Sequence, residues 1–390
     1  METPMTKPDD LSKPLVAFDH ETTLLTVVEM SGTCWLALAI VPGVDRRPLH
    51  KLPVDENALF KQLEIWCREA RKVGKLVQRM VVAFEAGRDG FWLARWLRAR
   101  GVEVHVIHPV SVAVPREMRR AKTDRLDTHR LMRALLGWLR GEPDCCRMVA
   151  IPTLAQEDAR RPGRERAHLV RERTRVINRI KAAMARLGIR GFKPGLCNAV
   201  ARLETLHTPD GEPIPPNTRA ELLRHLQRLQ LLKEQIAAVE GQRREALAEA
   251  APSGAEAMVR LLARVRGIGI ETAEMLVHEV LSRNLRDRRA VARYAGLTGT
   301  PDESGRRRRE KGLSRAGNAR VRCGMIQLAW RLLMFQPQSA LVTWYRERVA
   351  GARGSGKKTF IVALARKLLL ALWRYARFGE IPEGFVLKPA

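Results

Sequence analysis

MVVAFEAGRDGFWLARWLRARGVEVHVI, residues 80 to 107, decides the fold of this chain. Two apolar runs of strand length, MVVAFE (80–85) and VEVHVI (102–107), flank FWLARWLRARG (91–101), whose apolar residues recur at helical spacing and which Gly101 ends. Upstream, residues 56–73 carry Leu59, Leu63, Trp66, Ala70 and Val73 on one helical face. Further upstream, PLVAFD (14–19), LLTVVEM (24–30) and CWLALAI (34–40) are separated by turn-length connections and predict a three-stranded meander. Downstream, a helix from Asp124 to Leu139 closes the unit.

KTDRLDTHRL (122–131) starts that helix and sets Asp124 and Asp127 among Lys122, Arg125 and Arg130. Two readings stand for the pair. Asp124 caps the first turn while Asp127 favours the positive end of the helix dipole, or the i and i+3 carboxylates share a face and hold a hard cation. The order of three antiparallel strands, helix, strand, helix, strand, helix resembles the ribonuclease H fold. In such folds the metal carboxylates sit on the first strand, at the end of the fourth and on the final helix. Here those places hold Asp19 (VAFDH), Glu85 (VAFEAG), and Asp124 with Asp127. Acids at all of these places favour the metal site over the helix start.

The 390 residues suit two or three domains, and 45% hydrophobic content supports a buried core. Seventy Lys plus Arg against 42 Asp plus Glu give a formal charge of +28, which calls for a polyanionic partner, nucleic acid first. No apolar run approaches the roughly 20 residues of a membrane span, so a bilayer is excluded as partner. The opening METPMTKPDDLSKP lacks the apolar core of a signal peptide and predicts a disordered tail over 1–13 and a cytoplasmic protein. The six cysteines form no CxxC pair and have no His at zinc spacing, so neither a metal ribbon nor a disulfide framework is expected.

After the first domain (14–150), residues 151–258 turn helical and charged, with a break at Arg161-Pro162-Gly163 and a turn at DGEPIPP (210–216). RAELLRHLQRLQLLKEQIAAVEGQRREALA (219–248) spaces Leu222, Leu226, Leu229, Ile236 and Val239 near a heptad, which suits a coiled-coil arm or a helical hairpin packed on its own domain. The third region, 259–390, contains VRGIGIETAEMLVHEV (265–280), where Gly267 and Gly269 form a helix-hairpin-helix signature able to approach a phosphate. A tight turn between packed helices is the alternative. YAGLTGTPDESGRRRREKGLSRAGNARVR (294–322) follows as a glycine-punctuated basic loop with Arg306, Arg307, Arg308, Arg309, Lys311 and Arg315 suited to phosphate. GARGSGKK (351–358) matches GxxxxGK, but Lys358 stands where a magnesium-binding Ser or Thr is needed and the preceding segment reads as a helix, so it is a basic loop.

KTDRLD, GIGIETA, and SG followed by LSRAGN, in that order, resemble the DEDD-type insertion-sequence transposases of the IS-one-ten family, the bridge-RNA-guided recombinases, over nearly the whole length. The resemblance implies an α/β plus α architecture: a RuvC-like domain of ribonuclease H fold, a coiled-coil segment, and a mostly helical C-terminal transposase domain carrying a catalytic serine. It implies Asp19, Glu85, Asp124 and Asp127 as magnesium ligands and Ser304 as nucleophile. It further implies DNA and a structured guide RNA as partners, a homo-oligomer, a tetramer, since strand exchange needs several cleavages, and an association with the nucleoid. A metal-dependent nuclease or junction resolvase would use the same acids with water as nucleophile, and a nucleic-acid chaperone would need neither acids nor serine.

With basic residues spread over all three regions, log K for duplex DNA should fall by about 0.9 per phosphate contact for each tenfold rise in salt. A binding isotherm series from low to physiological salt checks this, and a flat response would contradict the polyanion reading.

Overall fold

The computed structural model describes all residues except 1–10, 12–13, 15, 88–89, 113–122, 143–144, 252, 284, 305–306, 315, 352–355 and 390, and gives backbone alone for 110, 301–303 and 307–311. The chain divides into two compact units, 1–155 and 156–390.

The first unit is a six-stranded sheet of order β3-β2-β1-β4-β5-β6. Its elements are β1 (Thr23–Met30), β2 (Trp35–Ile40), β3 (Leu49–Leu52), α1 (Glu56–Lys72), β4 (Arg79–Glu85), α2 (Trp92–Arg98), β5 (Glu103–Ile107), α3 (Asp124–Leu139) and β6 (Met148–Val149). β1, β2 and β3 pair antiparallel, β1, β4 and β5 pair parallel, and β6 closes the edge antiparallel to β5. Strand alternation sorts the core. Leu24, Val28, Val82, Phe84 and Val104 face α1 and α2 through Leu59, Leu63, Trp66, Leu93 and Leu97. Leu25, Val27, Leu38, Val81, Ala83 and Ile107 face α3 through Leu131, Met132, Leu135 and Trp138. Coverage on both faces explains why β1 and β4 are apolar almost throughout.

The antiparallel meander therefore lies one strand further along than the sequence predicts. Of the predicted first strand at 14–19, Pro14 and Val16 to Asp19 carry no strand assignment, and Val16 is exposed. The third antiparallel strand is Leu-His-Lys-Leu at 49–52, whose His50 and Lys51 are exposed. A short edge strand with a charge outward avoids pairing with other chains, and the same polarity hides it from a hydrophobic pattern.

The second unit contains α4 (Leu154–Asp158, which straddles the boundary), α5 (Arg161–Arg186), α6 (Ala199–Glu204), α7 (Pro216–Glu249), α8 (Ala255–Ala263), α9 (Ile270–Leu276), a π-helical turn (Val277–Leu281) and α10 (Arg288–Tyr294). The hairpin β7 (Gly299–Ser304) and β8 (Arg307–Leu313) follows, then α11 (Ala319–Phe335), α12 (Ala340–Ala350) and α13 (Gly356–Phe378). Arg161-Pro162-Gly163 begins a helix rather than breaking one, since proline in the first turn gives up no intrahelical bond. Residues 219–248 lie in α7, which forms a helical hairpin with α5. Leu222, Leu226, Leu229 and Leu232 of α7 pack on Val176, Ile180, Ala183 and Met184 of α5. A larger core formed by α8 to α13 completes the unit. Among the described residues no helix is long and apolar enough to cross a membrane.

Between β4 and β5, Arg79 grips Glu103 with Nε to Oε2 at 2.7 Å and Nη2 to Oε1 at 2.8 Å, and His105 Nε2 lies 2.6 Å from Oε1. Burial alone would raise the Glu103 carboxyl, but the His105 and Arg79 bonds outweigh it and hold it down at about 2 against an ordinary 4.5. A depressed carboxyl contributes stability above its ordinary value and loses it as pH falls toward the folded one. Glu103→Gln should lower the melting temperature at neutral pH, and the gap from wild type should close between pH 4.5 and about 2 in a melting series.

Candidate active site

β1 and β4 run parallel and in register from Thr23↔Arg79 to Val28↔Phe84, so the next residues along, Glu29 one before the end of β1 and Glu85 at the end of β4, stand side by side. Neighbouring strands lie about 4.8 Å apart. Leu25 and Val27 on β1, and Val81 and Ala83 on β4, face α3. Continuing that alternation puts both glutamates on the α3 face, where each is half-buried. α3 brings Asp124, exposed, and Asp127, half-buried, in its first turn. Thr123 is the residue that caps this helix, accepting from Leu126 N at 3.3 Å, so neither aspartate is needed as the cap. Asp127 is paired with Arg130 Nη1 at 2.8 Å.

Asp19 stands elsewhere. It precedes β1 at the end where Thr22 O accepts from Gln78 N and Arg79 N. The six residue steps from Thr23 to Glu29 span about 20 Å of strand, so Asp19 and Glu85 belong to opposite ends of the sheet. Its carboxylate accepts from Thr22 Oγ1 at 2.6 Å and Glu21 N at 3.0 Å, bonds that hold it below the usual carboxylate range and shape the turn into β1. The signal for Glu29 in the sequence is a lone acid next to the end of the apolar run TLLTVVEM, a run that the predicted meander uses as its second strand rather than its first.

Among the described residues no three His, Cys, Asp or Glu side chains gather closely enough to hold a metal ion. Glu29 and Glu85 are hard oxygen donors of the type a divalent cation takes. They fit such an ion as part of its shell, with Asp124 and Asp127 on the helix covering the same face. Lys122 lies outside the described residues, and Arg125 is exposed in the first turn of α3.

The basic segment after Tyr294, expected as a loop, is a two-stranded antiparallel hairpin. Ser304 ends β7, exposed and opposite Arg307. Arg308 and Arg309 pair with Glu303 and Asp302 along the backbone, and Lys311 continues β8. Arg306 and Arg315 lie outside the described residues. The base of the hairpin is tightly closed. Gly296 has φ 65° and Gly317 φ 84°, and a Cβ on Gly317 would lie 2.5 Å from both Arg293 O and Tyr294 O. Asn318 N donates to Tyr294 O at 2.7 Å and Ser314 N to Thr298 O at 3.1 Å.

Asn318 also caps α11 with its side-chain oxygen, while its Nδ2 donates to Glu279 Oε2 at 3.0 Å. Glu279, 3% exposed on the π-helical turn, takes two bonds from Arg164 at 2.9 and 3.1 Å. Burial pushes its carboxyl up, yet Arg164 and Asn318 together leave it below the ordinary value. The sequence reading passed over Glu279, since one acid in an apolar helix carries no spacing signal.

Gly267 and Gly269 join α8 to α9. Gly267 has φ 94°, and a Cβ there would lie 2.8 Å from Phe335 Cβ, so packing accounts for it. Gly269 adopts an extended conformation with open space above it.

Residues 259–342 match the family described as Transposase IS116/IS110/IS902 family, and residues 45–189 match the DEDD transposase family of IS110. The second match takes in Glu85, Asp124 and Asp127 and begins beyond both Asp19 and Glu29. The chain is 42% identical over 374 residues to the transposase candidate y4rJ of Sinorhizobium fredii, covering 93% of each chain. It is 29% identical over 288 residues to a family 20 transposase candidate of Pseudomonas aeruginosa, 73% of this chain and 78% of the relative. The mixed α/β first unit agrees with a DEDD nuclease-type domain, whose kind depends on a divalent metal ion. The chain belongs to the IS110/IS116 family of insertion-sequence transposases, enzymes that cut and rejoin DNA.

Proposed function

We propose that this transposase breaks DNA with Ser304 as nucleophile and with Glu29, Glu85, Asp124 and Asp127 as the ligands of a magnesium ion. The register that sets Glu29 and Glu85 side by side beneath α3 carries the carboxylate half of this reading. The exposed placement of Ser304 at the end of a strand opposite an arginine-rich one supports the other half. A divalent cation bound by these carboxylates neutralises phosphate charge and supplies Lewis acidity.

In the proposed reaction Ser304 Oγ forms a bond to phosphorus as the bond from phosphorus to one deoxyribose oxygen breaks. The hydroxyl proton leaves with the departing oxygen, and the phosphodiester is kept as a serine ester. Attack by the hydroxyl of a second strand reverses the step and rejoins the DNA without an outside energy source. A serine hydroxyl is a poor nucleophile at neutral pH, and residues 294–322 contain no histidine to act as its base. The guanidinium groups of Arg306 to Arg309 are suited to stabilise the charge that develops on the phosphate. Guidance by a structured RNA and assembly as a tetramer complete the proposal. The +28 charge supports the RNA, and the need for several cleavages supports the oligomer.

Incubation with a matched element end and guide RNA in magnesium, followed by denaturing electrophoresis, should show a protein–DNA adduct that Ser304→Ala abolishes. Cleavage that persists in Ser304→Ala with no adduct would assign the reaction to water. An adduct mapped to Ser314 would keep the reaction class and move the nucleophile.

The choice of first carboxylate is tested separately. Glu29→Gln should lower adduct formation by 100-fold or more, on the order of the loss when a transition-state charge stabiliser is removed. Asp19→Asn should leave it within about twofold, as a surface change away from the site. The opposite pattern would return the first ligand to Asp19.

A further inference from the structure

A cleft of about 210 Å³ opens in the second unit between α8, the end of the π-helical turn and the last turns of α13. Met258, Leu281 and Trp373 form its apolar side, and Ser282, Arg283 and Arg377 its polar side. It contains no carboxylate.

The two arginines are held in different ways. Arg283 donates Nε to Glu279 O at 3.1 Å and lies over the Tyr294 ring at 4.5 Å, which fixes the plane of its guanidinium. Arg377 is exposed and sits between two rings, 5.7 Å from Trp373 and 5.8 Å from Phe378. Phe378 stands nearly edge-on to Trp373, with ring centroids 6.0 Å apart, and is 59% exposed. Leaving a phenylalanine ring in water forgoes the gain of burying it, so an apolar occupant that covers it is favoured.

The volume falls below the roughly 300–1,000 Å³ of clefts that enclose larger ligands, so the occupant is small or is one residue of a polymer. The two guanidinium groups select an anion. A bare phosphate would gain nothing from Trp373, Phe378 and Met258. A duplex presents phosphates but keeps its base faces stacked inside. A nucleotide out of the stack offers both an anion and a flat π-face, the pair of features on which single-strand binding sites are built.

We propose that this cleft receives one unpaired nucleotide of a single strand, its base against Trp373 and Phe378 and its phosphate against Arg283 and Arg377. The assignment is independent of Ser304 and of the carboxylates, and binding tests it without any cleavage.

Four labelled probes of equal length are titrated against the full chain at fixed salt: oligothymidylate, oligouridylate, an abasic deoxyribose strand and a duplex. Phe378→Ala should weaken a base-bearing single strand about tenfold, the order of one lost stacking contact, and leave the abasic strand and the duplex unchanged. Arg377→Gln, altering the phosphate side, should weaken the base-bearing and abasic strands together. A Phe378→Ala loss confined to oligouridylate assigns the cleft to RNA, and one confined to oligothymidylate assigns it to a DNA strand. Equal losses on all four probes, or none on either base-bearing strand, would overturn the proposal.

Discussion

The second unit depends on one buried carboxylate. Glu279 sits at 3% exposure where a charge is tolerated only with partners, and its partners come from distant parts of the chain. Arg164 arrives from the first turn of α5 and Asn318 from the cap of α11. Around it, Arg160 donates to His278 O at 3.0 Å and Arg320 to Gly163 O. Removing one partner of such a group leaves a buried charge short of compensation, which is destabilising. The network therefore fixes the helical hairpin of α5 and α7, the π-helical turn and the start of α11 as one body. The serine hairpin grows from the same place, because Asn318, which contacts Glu279, also closes the hairpin base against Tyr294 O.

The first unit is governed by register rather than by charge. A parallel pair covered on both faces cannot slip by one residue without sending its whole apolar set to the wrong side. Leu25 and Val27 on one strand and Val81 and Ala83 on the next lock β1 to β4, and the position of Glu29 beside Glu85 follows from that lock. The apolar packing beneath the two carboxylates sets their places on the sheet.

The strand–helix–strand unit at 80–107, α1 and α3 were legible because each carries a long periodic pattern with a clear end, such as Gly101 or Thr123. Glu85, Asp124 and Asp127 could be placed from those elements. The strand that pairs with β4 could not, because PLVAFD and TLLTVVEM have similar local patterns and only that pairing distinguishes them. The polar strand at 49–52 offered nothing to a hydrophobic count, and its omission made the early strand necessary. Pro162 reads as a breaker in any window that does not know where the helix begins. The hairpin at 299–313 was hidden for a tertiary reason. Its arginine-rich strand has no alternation of apolar residues, and what brings the two ends together is the close approach of Gly296 to Ala316 O and of Gly317 to Tyr294 O.

The distribution of acids explains how a chain of charge +28 stays folded. In the second unit Glu240, Glu271, Glu274 and Glu279 each face an arginine, Arg166, Arg243 or Arg164, across helix packing. The Arg243 side chain, 7% exposed, is the most enclosed of these arginines, whereas Arg164 is half exposed. Other acids of the second unit, such as Glu165, Glu172, Glu204, Glu221 and Glu245, are exposed among a larger number of arginines and lysines. Self-repulsion of that surface falls when a polyanion covers it. A few acids therefore tie helices together through arginines, and the net positive charge left on the chain is what phosphate balances.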